Sequence, residues 1–159
     1  GSFSGLKMCF IGDGNNMANS LIVGGLKVGM NVAVATPDGY KPDGAVLEFT
    51  KGYGDKFALE TDPFMAASGA DILITDTWTS MGEEAEKEER KKIFKDYQIN
   101  KQLLTAANAG AMVQHCLPAY RGQEITEEVF EEHADEIFNE AENRLHAQKA
   151  VMVKLMKKD

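Results

Sequence analysis

The sequence holds 159 residues, 43% of them hydrophobic and 26% charged, with a formal net charge of −8. That is the composition of one ordinary globular domain, long enough to bury roughly 70% of the surface its unfolded chain would expose. The acidic balance excludes the basic stripe that a nucleic-acid partner requires, though not a small anion met by a local field, and no apolar run approaches the roughly 18 residues of a membrane span.

Gly1-Ser2-Phe3-Ser4 lacks an initiator methionine and reads as an expression scar, so the domain proper is expected over residues 5–159. The run at 7–11 then opens directly on a core strand, the pattern of a domain cut from a longer protein. No signal-peptide pattern is visible, and Cys9 and Cys116 lie far apart, with Cys9 inside an apolar run. Free thiols in a reducing, cytoplasmic setting are therefore expected.

Short apolar runs at 7–11, 31–35, 56–59, 72–75 and 112–115 read as strands. Between and after them, 16–28, 43–53, 63–68 and a long stretch from 83 to about 107 are helical in period or composition. Asp62-Pro63 is an N-cap followed by proline at the first helical position. Thr126 starts a short helix, and 140–156 reads as a long terminal one. Within 83–95 the pairs Glu83/Lys87, Glu86/Arg90 and Glu88/Lys92 stand at i, i+4 spacing. Each contributes only about 0.3–0.5 kcal/mol, so the run reads as a solvated helix face.

Strands alternating with helices predict an α/β fold: a three-layer, doubly wound parallel sheet of about five strands, Rossmann-like, with right-handed crossovers. Ligands bind such sheets at the carboxyl ends of the strands. That rule selects three loops, 12–16, 76–82 and 115–122.

In the first loop, Gly12-Asp13-Gly14-Asn15-Asn16-Met17 stands where a dinucleotide fingerprint would, but Met17 occupies the third glycine position. The second strand also lacks an acidic residue at its end to hold a ribose, which disfavours a nicotinamide cofactor. Two readings stand: a glycine turn with asparagine capping the helix, or a helix N-terminus turned to an anionic group such as a carboxylate. In the second loop Asp76 follows the strand directly, poised to hold an ammonium group, whereas Ser80 can cap a helix beginning at Glu83. In the third, Pro118 biases Leu117 toward extended backbone and leaves consecutive carbonyls pointing outward. Adjacent side chains on a strand face opposite ways, so His115-Cys116 is no thiol-protease dyad. His115, Cys116, Cys9, His133 and His146 also lack zinc-ligand spacing.

Gly12-Asp13-Gly14-Asn15-Asn16, Asp76-Thr77-Trp78 with Ser80-Met81-Gly82, His115-Cys116-Leu117-Pro118 and Glu140-Ala141-Glu142-Asn143-Arg144 occur in this order in ornithine carbamoyltransferases. From about Gly5 onward the chain resembles the second, ornithine-binding domain of that family. The Ser-Met-Gly loop resembles the ornithine enzymes rather than their aspartate-using relatives, and no proline-rich insertion of the acetylornithine relatives interrupts it. The family's first domain, with its Ser-Thr-Arg-Thr phosphate loop, has no counterpart in these residues.

The resemblance implies that Asn16, Ser80 and Met81 hold the amino and carboxylate groups of ornithine, and that Asp76 binds its amino-acid end. It places Cys116 near the reacting δ-amine, with Cys116 and Asp76 as the catalytic residues. The carbonyls of Cys116 and Leu117 would orient the carbamoyl amide, and Arg144 would reach carbamoyl phosphate. No cofactor and no metal are implied. The implied reaction turns L-ornithine and carbamoyl phosphate into L-citrulline and phosphate in a trimeric enzyme. The isolated domain is expected to be monomeric and inactive without the first domain. A stand-alone ornithine-binding module without catalysis is the alternative.

Overall fold

A computed structural model describes residues 2–79 and 86–157. The strands are β1 (Lys7–Ile11), β2 (Asn31–Ala35), β3 (Phe57–Glu60), β4 (Ile72–Thr75) and β5 (Met112–His115). The helices are α1 (Asn16–Lys27), α2 (Gly44–Thr50), α3 (Pro63–Ala67), α4 (Lys87–Phe94), α5 (Lys101–Leu104), α6 (Glu127–Glu132) and α7 (Ala134–Met156).

The five strands form one parallel sheet in the order β3-β2-β1-β4-β5. The central strands read as apolar runs because both faces of the sheet are covered. Met8 and Phe10 of β1, with Val32 and Val34 of β2, pack on Ile22 and Leu26 of α1. Cys9, Ile11, Ala33 and Leu73 point the other way, into a core completed by Ala66, Phe94, Leu103, Phe130 and Ile137. This is the expected three-layer, doubly wound architecture.

The strand order also locates the ligand rim. The chain winds outward from β1 to β3, then returns to the far side of β1 for β4 and β5. The winding direction changes between β1 and β4, and crevices form beyond the carboxyl ends of strands at such a switch point. Thr75 closes the gap beneath it, its buried hydroxyl donating to the Ile11 carbonyl at 2.7 Å.

Several expected boundaries move. The third strand lies at Phe57–Glu60, one residue later than 56–59, because a 3₁₀ turn runs through Lys51–Lys56 with Gly54 at a φ of 55°. The stretch expected as one helix to about 107 contains α4, a 3₁₀ turn at Lys95–Tyr97, and α5. It breaks where Ile99 bridges Ile125 and the Asn100 side chain accepts the Leu103 N–H at 2.9 Å. The terminal helix begins at Ala134 rather than 140, because Ile137 is fully buried in its first turns.

Those first turns of α7 run along the open edge of β5. Glu136 Oε2 accepts the outward N–H of Val113 at 2.9 Å, and Glu140, one turn later, accepts that of His115. Two glutamates thus occupy donors that an edge strand would otherwise present to another chain.

Candidate functional site

Gly14 shapes the loop after β1. Its N–H donates to the Tyr40 carbonyl at 2.8 Å, and a Cβ at this position would stand 2.4 Å from the backbone of Lys41 and Pro42. Only glycine permits that approach. Asn15 caps α1, its side-chain oxygen accepting the Met17 N–H at 3.1 Å, and Asn16 opens the helix on the cleft side. The capping reading of this loop is the one the geometry meets.

Asp13 in the same loop forms an ion pair with Arg90 of α4; the Arg90 side chain is buried and that of Asp13 is 14% exposed. The Arg90 Nε also donates to the Trp78 carbonyl at 2.5 Å. Its guanidinium packs 5.0 Å from the Tyr40 ring centroid and 5.3 Å from that of Phe94. The basic and acidic run is therefore not a uniformly solvated face: Arg90 is 4% exposed and ties the loops after β1 and β4 together. Of the expected pairs, Glu86 stands 3.9 Å from Arg90, while Glu88 pairs with Lys91 rather than Lys92. Glu83, and with it the proposed helix start, lies outside the described residues.

Asp76 leaves β4 at the rim. Its Oδ1 accepts the Thr77 N–H at 2.7 Å and the Cys116 thiol at 3.1 Å. Burial, then the Asp76 hydrogen bond and charge, then the charge of Glu140, push the Cys116 thiol up to about 12. At neutral pH it is a hydrogen-bond donor and not a thiolate nucleophile. Cys9 is also pushed to about 12, by burial in the core.

His115 organises the loop after β5. The Leu117 N–H donates to its Nδ1 at 3.0 Å, which leaves that nitrogen unprotonated. Nε2–H then donates to Glu124 Oε1 at 3.1 Å, and the same oxygen accepts the Tyr120 N–H at 2.6 Å. Both side chains are fully buried, so loop 116–124 winds around a neutral imidazole and its carboxylate partner. The expected extended backbone at Leu117 is not found. Leu117 has a φ of 57° and a cis bond to Pro118. The Leu117 N–H turns inward to His115, and a left-handed non-glycine residue is held only by such tertiary bonds.

Sequence spacing connected no metal ligands, but the fold brings Asp76 to His115 and Cys116, their ligand atoms within 4.8 Å of one another. Both ring nitrogens of His115 are engaged and the thiol carries its proton. The three residues fit a hydrogen-bonded cluster better than a metal cage.

Asn16, Asp76, Cys116, Leu117, Glu140 and Arg144 line one cleft of about 870 Å³ over the switch point. Five of them are residues the sequence selected; Ser80 and Met81 lie outside the described residues. Glu140 was missed as a side chain of the site, as were Arg90 and the buried Glu124. The signal for Glu140 was its i, i+4 spacing from Arg144, which puts both on one face of α7.

A parallel α/β domain with a cleft at its switch point, largely apolar and set with a few polar side chains, has the form of a small-molecule-binding domain. A family model described as "Aspartate/ornithine carbamoyltransferase, Asp/Orn binding domain" matches residues 4–155, and the chain belongs to that family. It is 55% identical over 160 residues to the ornithine carbamoyltransferase of Gloeobacter violaceus, covering 98% of this chain and 51% of that protein. The ornithine carbamoyltransferase of Thermococcus kodakarensis is 49% identical with the same coverage. Among solved structures, the anabolic ornithine carbamoyltransferase of Campylobacter jejuni superposes with a TM-score of 0.89 at 45% identity, over 94% of this chain and 51% of that one. The chain thus spans about half the length of the relatives it matches.

Proposed function

We propose that this chain is the amino-acid-binding half of an ornithine carbamoyltransferase, which converts L-ornithine and carbamoyl phosphate into L-citrulline and phosphate. The observation that carries the reading is the convergence of Asn16, Asp76, Cys116 and Arg144 on one cleft at the strand ends. Asn16 and Asp76, with Ser80 and Met81, take the amino-acid end of ornithine. Cys116 and the Leu117 carbonyl stand beside the reacting amine and the carbamoyl amide, and Arg144 reaches toward the phosphate.

The chemistry asks for this arrangement. The attacking amine must first lose a proton, and its ordinary pKa is near that of lysine, about 10.4. Its nitrogen then attacks the carbamoyl carbon, the bond to the phosphate oxygen breaks with its electron pair leaving on phosphate, and the nitrogen's surplus proton passes to the departing phosphate. Fixed contacts that hold the amine against that carbon supply proximity, and a guanidinium favours the charge that develops on the departing group. The other half of the enzyme supplies the remaining cationic contacts to carbamoyl phosphate and closes the cleft, and the site of action is the cytoplasm.

Amide chemical-shift titration of the chain with L-ornithine tests the reading. Shifts centred on Asn16, Asp76 and Cys116, with a dissociation constant on the order of millimolar, are expected. Asp76→Asn should weaken binding about tenfold or more while leaving the fold intact, as for a charge-assisted hydrogen bond. The chain alone should make no citrulline, and activity should appear on mixing with the separately produced other half. Ornithine that shifts no cleft residue up to tens of millimolar would overturn the reading.

A further inference from the structure

The loop after β5 is turned from inside the core. Leu117 has a φ of 57°, a backbone shape costly for any residue but glycine, so it persists only while bonds around it hold it. The Leu117 N–H supplies such a bond, donating at 3.0 Å to Nδ1 of the fully buried His115. The Cys116–Leu117 peptide is trans, so its carbonyl points opposite to that N–H, away from the imidazole. Among the described residues this carbonyl accepts no hydrogen bond, and both Cys116 and Leu117 line the cleft.

Glu124 decides which ring nitrogen is free to hold the loop. A neutral imidazole offers one donor and one acceptor. Glu124 Oε1 stands 3.1 Å from Nε2 and takes its proton's hydrogen bond, which leaves Nδ1 bare for Leu117. The carboxylate is itself fixed from two sides: the same oxygen accepts the Tyr120 N–H at 2.6 Å, and the Glu124 carbonyl accepts the Ile99 N–H at 2.9 Å. Neither the His115 nor the Glu124 side chain has any exposure, and neither residue lines the cleft. The pair therefore acts on a ligand only through the loop it shapes.

We infer that His115 and Glu124 are positioning residues. With its proton held on Nε2, the imidazole draws in the Leu117 N–H and turns the Cys116 carbonyl out to accept an N–H from the carbamoyl group of the bound ligand. This rests on the ornithine reading above. L-Citrulline carries that group and L-ornithine does not, so the pair serves the first ligand and leaves the second nearly indifferent.

Two variants separate the two bonds of the imidazole. In His115→Asn the side-chain oxygen reaches the place of Nδ1 and still accepts the Leu117 N–H. In His115→Gln the amide reaches the place of Nε2 and Glu124, and offers Leu117 nothing. Both remove a buried ring, so both should melt lower than the unaltered chain. In chemical-shift titrations, His115→Gln should weaken L-citrulline about fivefold and L-ornithine less than about twofold. His115→Asn should keep the ratio of the two affinities within about twofold of its unaltered value.

The unaltered chain gives a readout without any variant. Nitrogen-15 spectra should place the His115 proton on Nε2 and show coupling across the hydrogen bond between the Leu117 amide and Nδ1. The Cys116 carbonyl carbon should shift with citrulline and stay still with ornithine. A proton on Nδ1, equal carbonyl shifts with the two ligands, or a glutamine variant that weakens both alike or neither, overturns the inference. An asparagine variant that loses as much discrimination as the glutamine one overturns it too. The ornithine reading survives each of these results so long as ornithine still shifts Asn16 and Asp76. An unaltered chain that binds neither amino acid overturns both.

Discussion

Cys116 shows how burial and two acidic neighbours can silence a thiol that is only half-buried. Burial, the Asp76 acceptor and the Glu140 charge all act in one direction and bring it to about 12. At pH 8 the thiolate fraction is then on the order of 10⁻⁴, against roughly a quarter for a free cysteine of ordinary pKa. Iodoacetamide should therefore modify Cys116 roughly a thousandfold more slowly than a model thiol. Asp76→Asn and Glu140→Gln should each speed the reaction, because removing a nearby negative charge lowers the thiol's pKa. Peptide mass spectrometry over time reads this directly, and modification of Cys116 at the model-thiol rate in the unaltered protein would contradict it. At this scale the sequence was informative where a residue type was improbable for its position. A cysteine two residues before a proline, and an aspartate directly after an apolar run, stand out at strand ends. Glu140 and Glu124 sit in glutamate-rich stretches, where one buried carboxylate looks like any exposed one.

Elements behave in the same way. Strands, and helices with a cap or a clear apolar period, are visible because local chemistry dictates them; Asn15, Asp62, Asn100 and Thr126 all cap where the backbone needs an acceptor. Breaks imposed by distant partners are not visible, as at Ile99, whose bridge to Ile125 spans two loops. Arg90 is the sharpest case, since its spacing from Glu86 hides its ion pair with Asp13, far away in sequence. That pair joins the loops after β1 and β4, with Arg90 buried and Asp13 largely shielded, so its loss belongs with breakage of an internal ion pair. Arg90→Met should lower unfolding stability by about 3–5 kcal/mol in urea denaturation. Arg90→Lys should fall between, because it keeps the charge but loses the planar contacts with Tyr40 and Phe94. A loss under about 1 kcal/mol for Arg90→Met would place the pair with surface salt bridges instead.

For the whole molecule, the sheet was readable because alternating strands and helices admit few topologies, and the cleft followed from the switch point that topology creates. What no local pattern disclosed is how unevenly the terminal helix is held. α7 has 23 residues, about 35 Å of helix, and Ile137 is its one buried residue. The bonds from Glu136 and Glu140 to the β5 edge also lie in its first two turns. From Ala141 onward every described residue is exposed, including Leu145 at 56%, Val151 at 58% and Leu155 at 80%. Helices shorter than about 12–15 residues are marginal in water without tertiary packing, so the last turns should fray on their own. Hydrogen exchange should find amides 137–140 protected nearly as well as those of β1 and β4, and amides 148–156 exchanging orders of magnitude faster. Truncation after Ala147 should change the unfolding stability by no more than about 0.5 kcal/mol, as for surface changes away from packed features. Strong protection of 148–156 at every protein concentration would contradict this account. Protection that grows with concentration would instead show copies of the chain covering the apolar stripe of Leu145, Met152 and Met156, and the truncated chain should then lose that dependence together with its self-association in sedimentation.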